Sequence, residues 1–173
     1  MTMKYCLAAC MLCFSLVAFG ETIHGRITAV PDGDTLDLLT AGDVSMRVRV
    51  VGIDAPEKGQ PFGRQAKAAM RELVWSREVV VDWAKRDRYG RLLGTVTVDG
   101  SDVGLAMLRS GWAWYYKQYE RDLLLSQRMQ YAEAESEARL HAIGLWVDFA
   151  PVPPWQWRRG SQKRHQDEPF LPY

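Results

Sequence analysis

The chain has 173 residues, 47% hydrophobic and 11% aromatic, which is enough apolar material for one core without external staples. Its 22 basic and 21 acidic residues nearly cancel, and removing Lys4 with the N-terminal segment leaves 21 of each. A global basic field is thereby excluded, so any affinity for polyanions has to come from local clusters or a bound cation.

Met1–Gly20 carries the single cation Lys4, an apolar run Tyr5–Phe19 and the small-residue ending Ala18-Phe19-Gly20. This pattern predicts a cleaved secretory signal, since the run is shorter than the roughly 20 residues of a spanning helix. A secreted or periplasmic protein follows, with no membrane span after cleavage. All three cysteines, Cys6, Cys10 and Cys13, fall in this segment, so disulfides play no part in the mature chain. Leu7-Ala-Ala-Cys10 also resembles a lipoprotein cleavage box, but only nine residues precede that cysteine.

From Thr22 to Val98, β-rich segments predict five strands: Thr22–Val30, Thr35–Leu39, Val44–Gly52, Glu78–Trp83 and Leu93–Val98. Between the first two lies Pro31-Asp-Gly-Asp34, an acidic turn in which Gly33 is expected to supply positive φ. In the third strand Val44, Met46, Val48 and Val50 alternate with Arg47, Arg49 and Val51. That period points Arg49 away from the core, as a solvated cation or a functional one. A second acidic turn follows, Ile53-Asp-Ala-Pro-Glu57.

Ala66, Met70, Leu73 and Val74 stand at helical spacing over Gly63–Val74, the first helix. A third turn, Asp87-Arg-Tyr-Gly-Arg91, separates the last two strands. Asp102 is a plausible N-cap for a second helix, Val103–Ser110, ended by Gly111 and weakened by Gly104. The third helix is expected from about Asp122 to His141, with Leu125, Met129, Ala132 and Ala138 as its apolar stripe. Trp112, Trp114, Tyr115, Tyr116 and Tyr119 form the densest aromatic cluster, the two tryptophans reading as packing groups. Residues 148–173, with Pro151-Val-Pro-Pro154, Trp155 and Trp157, read as a tail that docks by its tryptophans and is mobile beyond Gly160.

Short acidic side chains on tight turns suit a hard cation that takes oxygen ligands. Asp34 and Asp54 are the candidate metal ligands, and Pro56 biases Ala55 to an extended backbone whose carbonyl can serve as a third. Glu57 is then free to act as a general base on water. Arg49 and Arg91 supply the fixed positive charge that a phosphodiester transition state demands. Asp32-Gly33-Asp34 lacks the remaining ligands of an EF-hand, and His24, His141 and His165 are scattered singly, so neither that motif nor a zinc or histidine site is indicated.

Asp32-Gly-Asp-Thr35, Arg49-Val-Val-Gly-Ile-Asp-Ala-Pro-Glu57 and Asp87-Arg-Tyr-Gly-Arg91, in that order, closely resemble the staphylococcal nuclease family. The resemblance runs from Ile23 to Trp146 and includes Gly111-Trp-Ala113 and Ile143-Gly-Leu-Trp146. It implies a mainly β fold with α-helices: an OB-fold, five-stranded β-barrel with three helices. It further implies a monomeric, calcium-dependent nuclease that hydrolyses DNA and RNA and leaves 3′-phosphate ends. Asp34, Asp54 and the Ala55 carbonyl match the Ca2+ ligands, Glu57 the base, and Arg49 and Arg91 the phosphate-binding arginines, with Arg88 and Tyr119 as substrate contacts.

Four features depart from the family pattern. Ala55 stands where the type member has threonine, the loop after Glu57 is shorter, Lys117 occupies a tyrosine position, and the mature chain is neutral rather than basic. Two rival readings belong to other classes: a non-catalytic OB-fold module that binds nucleic acid or protein, and a magnesium-dependent phosphodiesterase with another substrate. The retained acidic and arginine set favours the nuclease.

Overall fold

The computed structural model describes residues 20–167, with side-chain surroundings to residue 160. The expected signal segment, its cysteines and Cys10 lie outside the described residues, apart from Gly20. The last residues, from Glu168, also lie outside them.

Five long strands form the barrel: β1 Glu21–Ala29, β2 Thr35–Thr40, β3 Ser45–Val50, β5 Glu78–Arg86 and β6 Leu92–Val98. Neighbours pair antiparallel in the order β3-β2-β1-β5-β6, and a parallel pairing of β3 with β6, with Val48 opposite Leu92 and Val50 opposite Gly94, closes the ring. Alternation along the strands sends Leu36, Leu38, Val48, Val50, Val79, Val81 and Val96 inward, all fully buried. Register shifts at Ala29 in β1 and between Trp83 and Lys85 in β5 are bulges of the kind that bend strands into closed barrels. The five strands expected from the sequence are thus present, and the barrel with its helices is an OB-type architecture.

Short strands complete the set. β4, Ile53–Asp54, pairs with β8, Trp114–Tyr115, placing Asp54 opposite Trp114 and pinning the second acidic turn to the helical side of the molecule. β7, Ser101–Asp102, extends the edge beside β6.

Helix α1 spans Gly63–Val74, as its spacing predicts, and buries Ala66, Met70 and Val74. Helix α2 covers Val103–Arg109, and its cap is as expected, with an Asp102 carboxylate oxygen accepting from the Leu105 N–H at 3.0 Å. Gly104, unfavourable for helix by propensity, is needed for packing. A Cβ there would stand 2.5 Å from the Tyr131 hydroxyl, which itself donates to Asp102.

Helix α3, Leu125–Leu140, corrects the expected stripe. It buries Tyr131, Ala134 and Ala138, whereas Leu125 and Met129 are largely exposed. One large aromatic, fully buried and hydrogen-bonded to Asp102, sets the inward face and leaves the aliphatic side chains outside.

A fourth helix, α4, occupies Pro154–Asp167, where the sequence reads as a tail. Proline at its first position is compatible with a helix start, but the polar run that follows carries no apolar stripe to announce a helix. Among the described residues no helix is long and apolar enough to cross a membrane.

Candidate active site

The first acidic turn is held against the second by close packing. A Cβ on Gly33 would lie 2.6 Å from the Ala55 Cβ and 2.9 Å from the Ala66 Cβ. Gly33 is absent from the residues with positive φ, so its role is close approach rather than the left-handed conformation expected. The approach lets the Ala55 N–H donate to Asp34 Oδ2 at 2.8 Å, while the Thr35 hydroxyl donates to Oδ1 at 3.2 Å. The Val50 N–H donates to the Asp34 carbonyl at 2.9 Å, fixing this turn to the end of β3 as well.

Arg49 is not a solvated strand cation: only 9% of the residue is exposed. Its Nη1 donates to the carbonyls of Val50 (2.6 Å) and Ile53 (2.8 Å). Its Nη2 lies 3.1 Å from both Asp34 Oδ2 and Asp54 Oδ1. The two carboxylate oxygens are therefore no farther apart than twice that distance, and Arg49 is the cation the two buried groups share.

Burial raises the Asp34 carboxyl above the ordinary value of 3.8, with Arg49 opposing the shift and the Asp54 charge adding to it. Asp32, beside it, is pushed up to about 6, first by desolvation and then by the Asp34 charge. Two nearly buried carboxylates, with no histidine or cysteine among the residues lining the cleft, form a donor set that fits a hard cation and suits neither zinc nor a soft metal. Among the described residues no three His, Cys, Asp or Glu side chains assemble into a metal cage. A cation held here would need its remaining ligands from main chain and water.

These groups open onto one cleft of about 860 Å³. Every residue singled out from the sequence lines it: Asp34, Arg49, Asp54, Ala55, Glu57, Arg88, Arg91 and Tyr119. Arg91 is both brace and lining group, its Nε donating to Asp87 Oδ2 at 2.7 Å. Desolvation pulls the Asp87 pKa upward, but the bonds from Arg91 and from the Tyr89 N–H outweigh it, and the net shift is downward. Arg88 donates to the Tyr89 hydroxyl at 2.7 Å, and Tyr119 stands edge-on to Tyr116 with centroids 5.2 Å apart. The expected packing role of Trp114 holds, since it is 3% exposed and lies edge-on to Trp146. Seven Lys and Arg side chains face five carboxylates in the cleft, so a chain of formal net charge +1 concentrates positive charge there.

Residues 47–148 match the family described as Staphylococcal nuclease homologue. The chain is 44% identical over 146 residues to an uncharacterized endonuclease of Escherichia coli O157:H7, covering 84% of this chain and 91% of that protein. It is 41% identical over 134 residues to an uncharacterized endonuclease of Haemophilus influenzae, covering 78% and 72%. It is also 36% identical over 164 residues to a micrococcal nuclease of Shigella flexneri, covering 90% and 91%.

The chain belongs to the staphylococcal nuclease family. The matched segment contains all the candidate site residues except Asp34, which precedes it on β2's leading turn. Two side chains that bond the second acidic turn of this staphylococcal nuclease homologue carry no local sequence signal. Arg158, on α4, donates from Nη2 to Asp54 Oδ2 at 2.8 Å and from Nη1 to Glu57 Oε1 at 2.6 Å. Trp155 docks as expected of the tail tryptophans, stacking on Tyr116 with centroids 5.5 Å apart and planes at 25°. Gln60 accepts from the Glu57 N–H at 3.1 Å and donates to the Val152 carbonyl at 2.5 Å, tying the second acidic turn to the segment before α4. No local motif marks Arg158 or Gln60, because Arg158 meets its carboxylates and Gln60 meets Val152 across long sequence separations.

Proposed function

We propose that the protein is an exported, calcium-dependent nuclease that hydrolyses the phosphodiester bonds of DNA and RNA at the 5′-oxygen side, leaving 3′-phosphate ends. The observation that carries this reading is the convergence of Asp34, Asp54, Glu57, Arg49 and Arg91 on one positively biased cleft. Membership of a family whose relatives are named as endonucleases and a micrococcal nuclease supports the reaction class. Oxygen-only ligation by two aspartates and a carbonyl suits flexible calcium better than rigidly octahedral magnesium.

Asp34, Asp54 and the Ala55 carbonyl hold the ion. A divalent cation there supplies Lewis-acid polarisation of a phosphate oxygen and a place for water. Glu57, about one third exposed at its side chain, is accessible enough to accept a proton from water at the cleft. Arg91, oriented by Asp87, presents its remaining N–H groups to the phosphate oxygens on which negative charge accumulates. Arg49 contributes its charge beside the aspartates, with hydrogen bonds to the Val50 and Ile53 carbonyls and to Asp54 holding it in place. Arg88 and Tyr119, on the cleft wall, are placed for the flanking nucleotides, with stacking on Tyr119 contributing about 1–3 kcal/mol per base.

The test is incubation of the purified protein with single- and double-stranded DNA and with RNA, in calcium, magnesium or chelator, followed by end-group analysis. Cleavage in calcium with 3′-phosphate ends, abolished by chelator, is the expected result. Binding without cleavage in any ion makes the protein a non-catalytic OB-fold module instead.

A further inference from the structure

The C-terminal helix reaches into the catalytic cleft. Arg158 makes three hydrogen bonds to the carboxylates that the proposed mechanism needs free: Nη2 to Asp54 Oδ2 at 2.8 Å, Nη1 to Asp54 Oδ1 at 3.1 Å and Nη1 to Glu57 Oε1 at 2.6 Å. Asp54 Oδ1 also receives Arg49 at 3.1 Å, so both oxygens of a side chain that is 1% exposed are occupied by guanidinium groups. A guanidinium stays charged throughout the working pH range of a protein, so the docked group is a fixed cation.

Further attachments hold the helix there. Gln60 donates to the Val152 carbonyl just before α4, and Trp155 stacks on Tyr116 in its first turn. The Arg158 side chain is nonetheless 40% exposed, so it sits at the mouth of the cleft and can leave without opening the core.

We propose that Arg158 is a built-in competitor for the divalent cation: when α4 is docked, its guanidinium takes the carboxylate oxygens of Asp54 and Glu57 and excludes both metal ligation and base action. The inference rests on the calcium site proposed above. A guanidinium and a divalent ion both need the Asp54 oxygens, and one buried carboxylate cannot serve both fully. With Arg158 bonded, Glu57 Oε1 is also occupied by a donor, so that oxygen is not free to meet a water. The cation therefore binds the fraction of molecules in which Arg158 has withdrawn, and its apparent affinity is reduced by that fraction. A phosphodiester entering the cleft offers the displaced guanidinium a bidentate partner, so nucleic acid and cation favour each other's binding.

The experiment is a calorimetric calcium titration of the purified chain and of three variants, Arg158→Gln, Arg158→Lys and Arg159→Gln, without nucleic acid. A melting curve in chelator confirms that each is folded. Arg158→Gln is expected to tighten calcium binding by about 10-fold or more. Arg158→Lys keeps the charge but loses the planar fork, and falls between. Arg159→Gln removes the same charge from a neighbouring cleft-lining position and changes affinity by much less.

Equal affinity in wild type and Arg158→Gln overturns the competition while leaving the calcium site intact. Equal tightening by Arg159→Gln does the same, reducing the effect to net charge. Weaker binding in Arg158→Gln also overturns it, making Arg158 a helper. Failure of every variant to bind calcium overturns both the competition and the calcium reading.

Discussion

Arg49→Met tests how the two acidic turns are kept together. Arg49 is 9% exposed and is the cation shared by Asp34, 6% exposed, and Asp54, 1% exposed. Removing one partner of such a buried ion group costs about 3–5 kcal/mol, because it leaves an uncompensated buried charge. Asp54 keeps Arg158 as a partner, so the burden falls mainly on Asp34 and the lower end, about 3 kcal/mol, is expected. For a chain of this size that corresponds to a melting point lower by about 6–12 °C. Adding Asp34→Asn removes the stranded charge while leaving an oxygen to accept from the Ala55 N–H, so the double variant recovers at least about 1 kcal/mol relative to additivity. Thermal and urea melts in chelator measure both quantities. A cost below about 1 kcal/mol for Arg49→Met, or strict additivity in the double variant, refutes the reasoning.

Glu57→Gln keeps the size of the side chain and removes the base; turnover falls by about 10²–10⁴-fold while oligonucleotide binding persists, and undiminished hydrolysis excludes Glu57 from that role. Gly33→Ala drives a methyl group into Ala55 and Ala66, costing about 1–3 kcal/mol in urea melts and weakening calcium binding; a variant with normal calcium affinity shows that the close approach does not set the site. Asp87 titrates below its ordinary value of 3.8 in the folded protein, net of desolvation, because Arg91 and turn N–H groups bond it, so its contribution to stability is present above that value and lost as pH falls below it. Arg91→Gln should accordingly be less stable than wild type at pH 5–7, with the gap closing at more acid pH; a gap independent of pH disproves the coupling.

The barrel was legible because its signals are local. Strand alternation in Leu36–Leu38 and Val48–Val50, the Asp102 cap and the Ala66–Met70–Val74 spacing each act within a few residues. The candidate site was legible for a related reason, since its chemistry sits in three tight turns whose residue types and order are distinctive. What was not legible depends on contacts between distant segments. Arg49 reads as solvated on strand period alone, and only the fold brings Asp34 and Asp54 around it. The inward face of α3 is set by one tyrosine meeting Asp102 across 29 positions, against the pull of more hydrophobic leucine and methionine. Helix α4 has a polar sequence, and Arg158 gains its significance from carboxylates about a hundred residues away.

The most direct measurement is a crystal structure of the protein with calcium and a short phosphorothioate oligonucleotide. The account predicts an ion about 2.3–2.6 Å from carboxylate oxygens of Asp34 and Asp54, as calcium–oxygen bonds require, with a backbone phosphate between it and Arg91. An ion bound elsewhere, or a phosphate seated away from the two acidic turns, contradicts it.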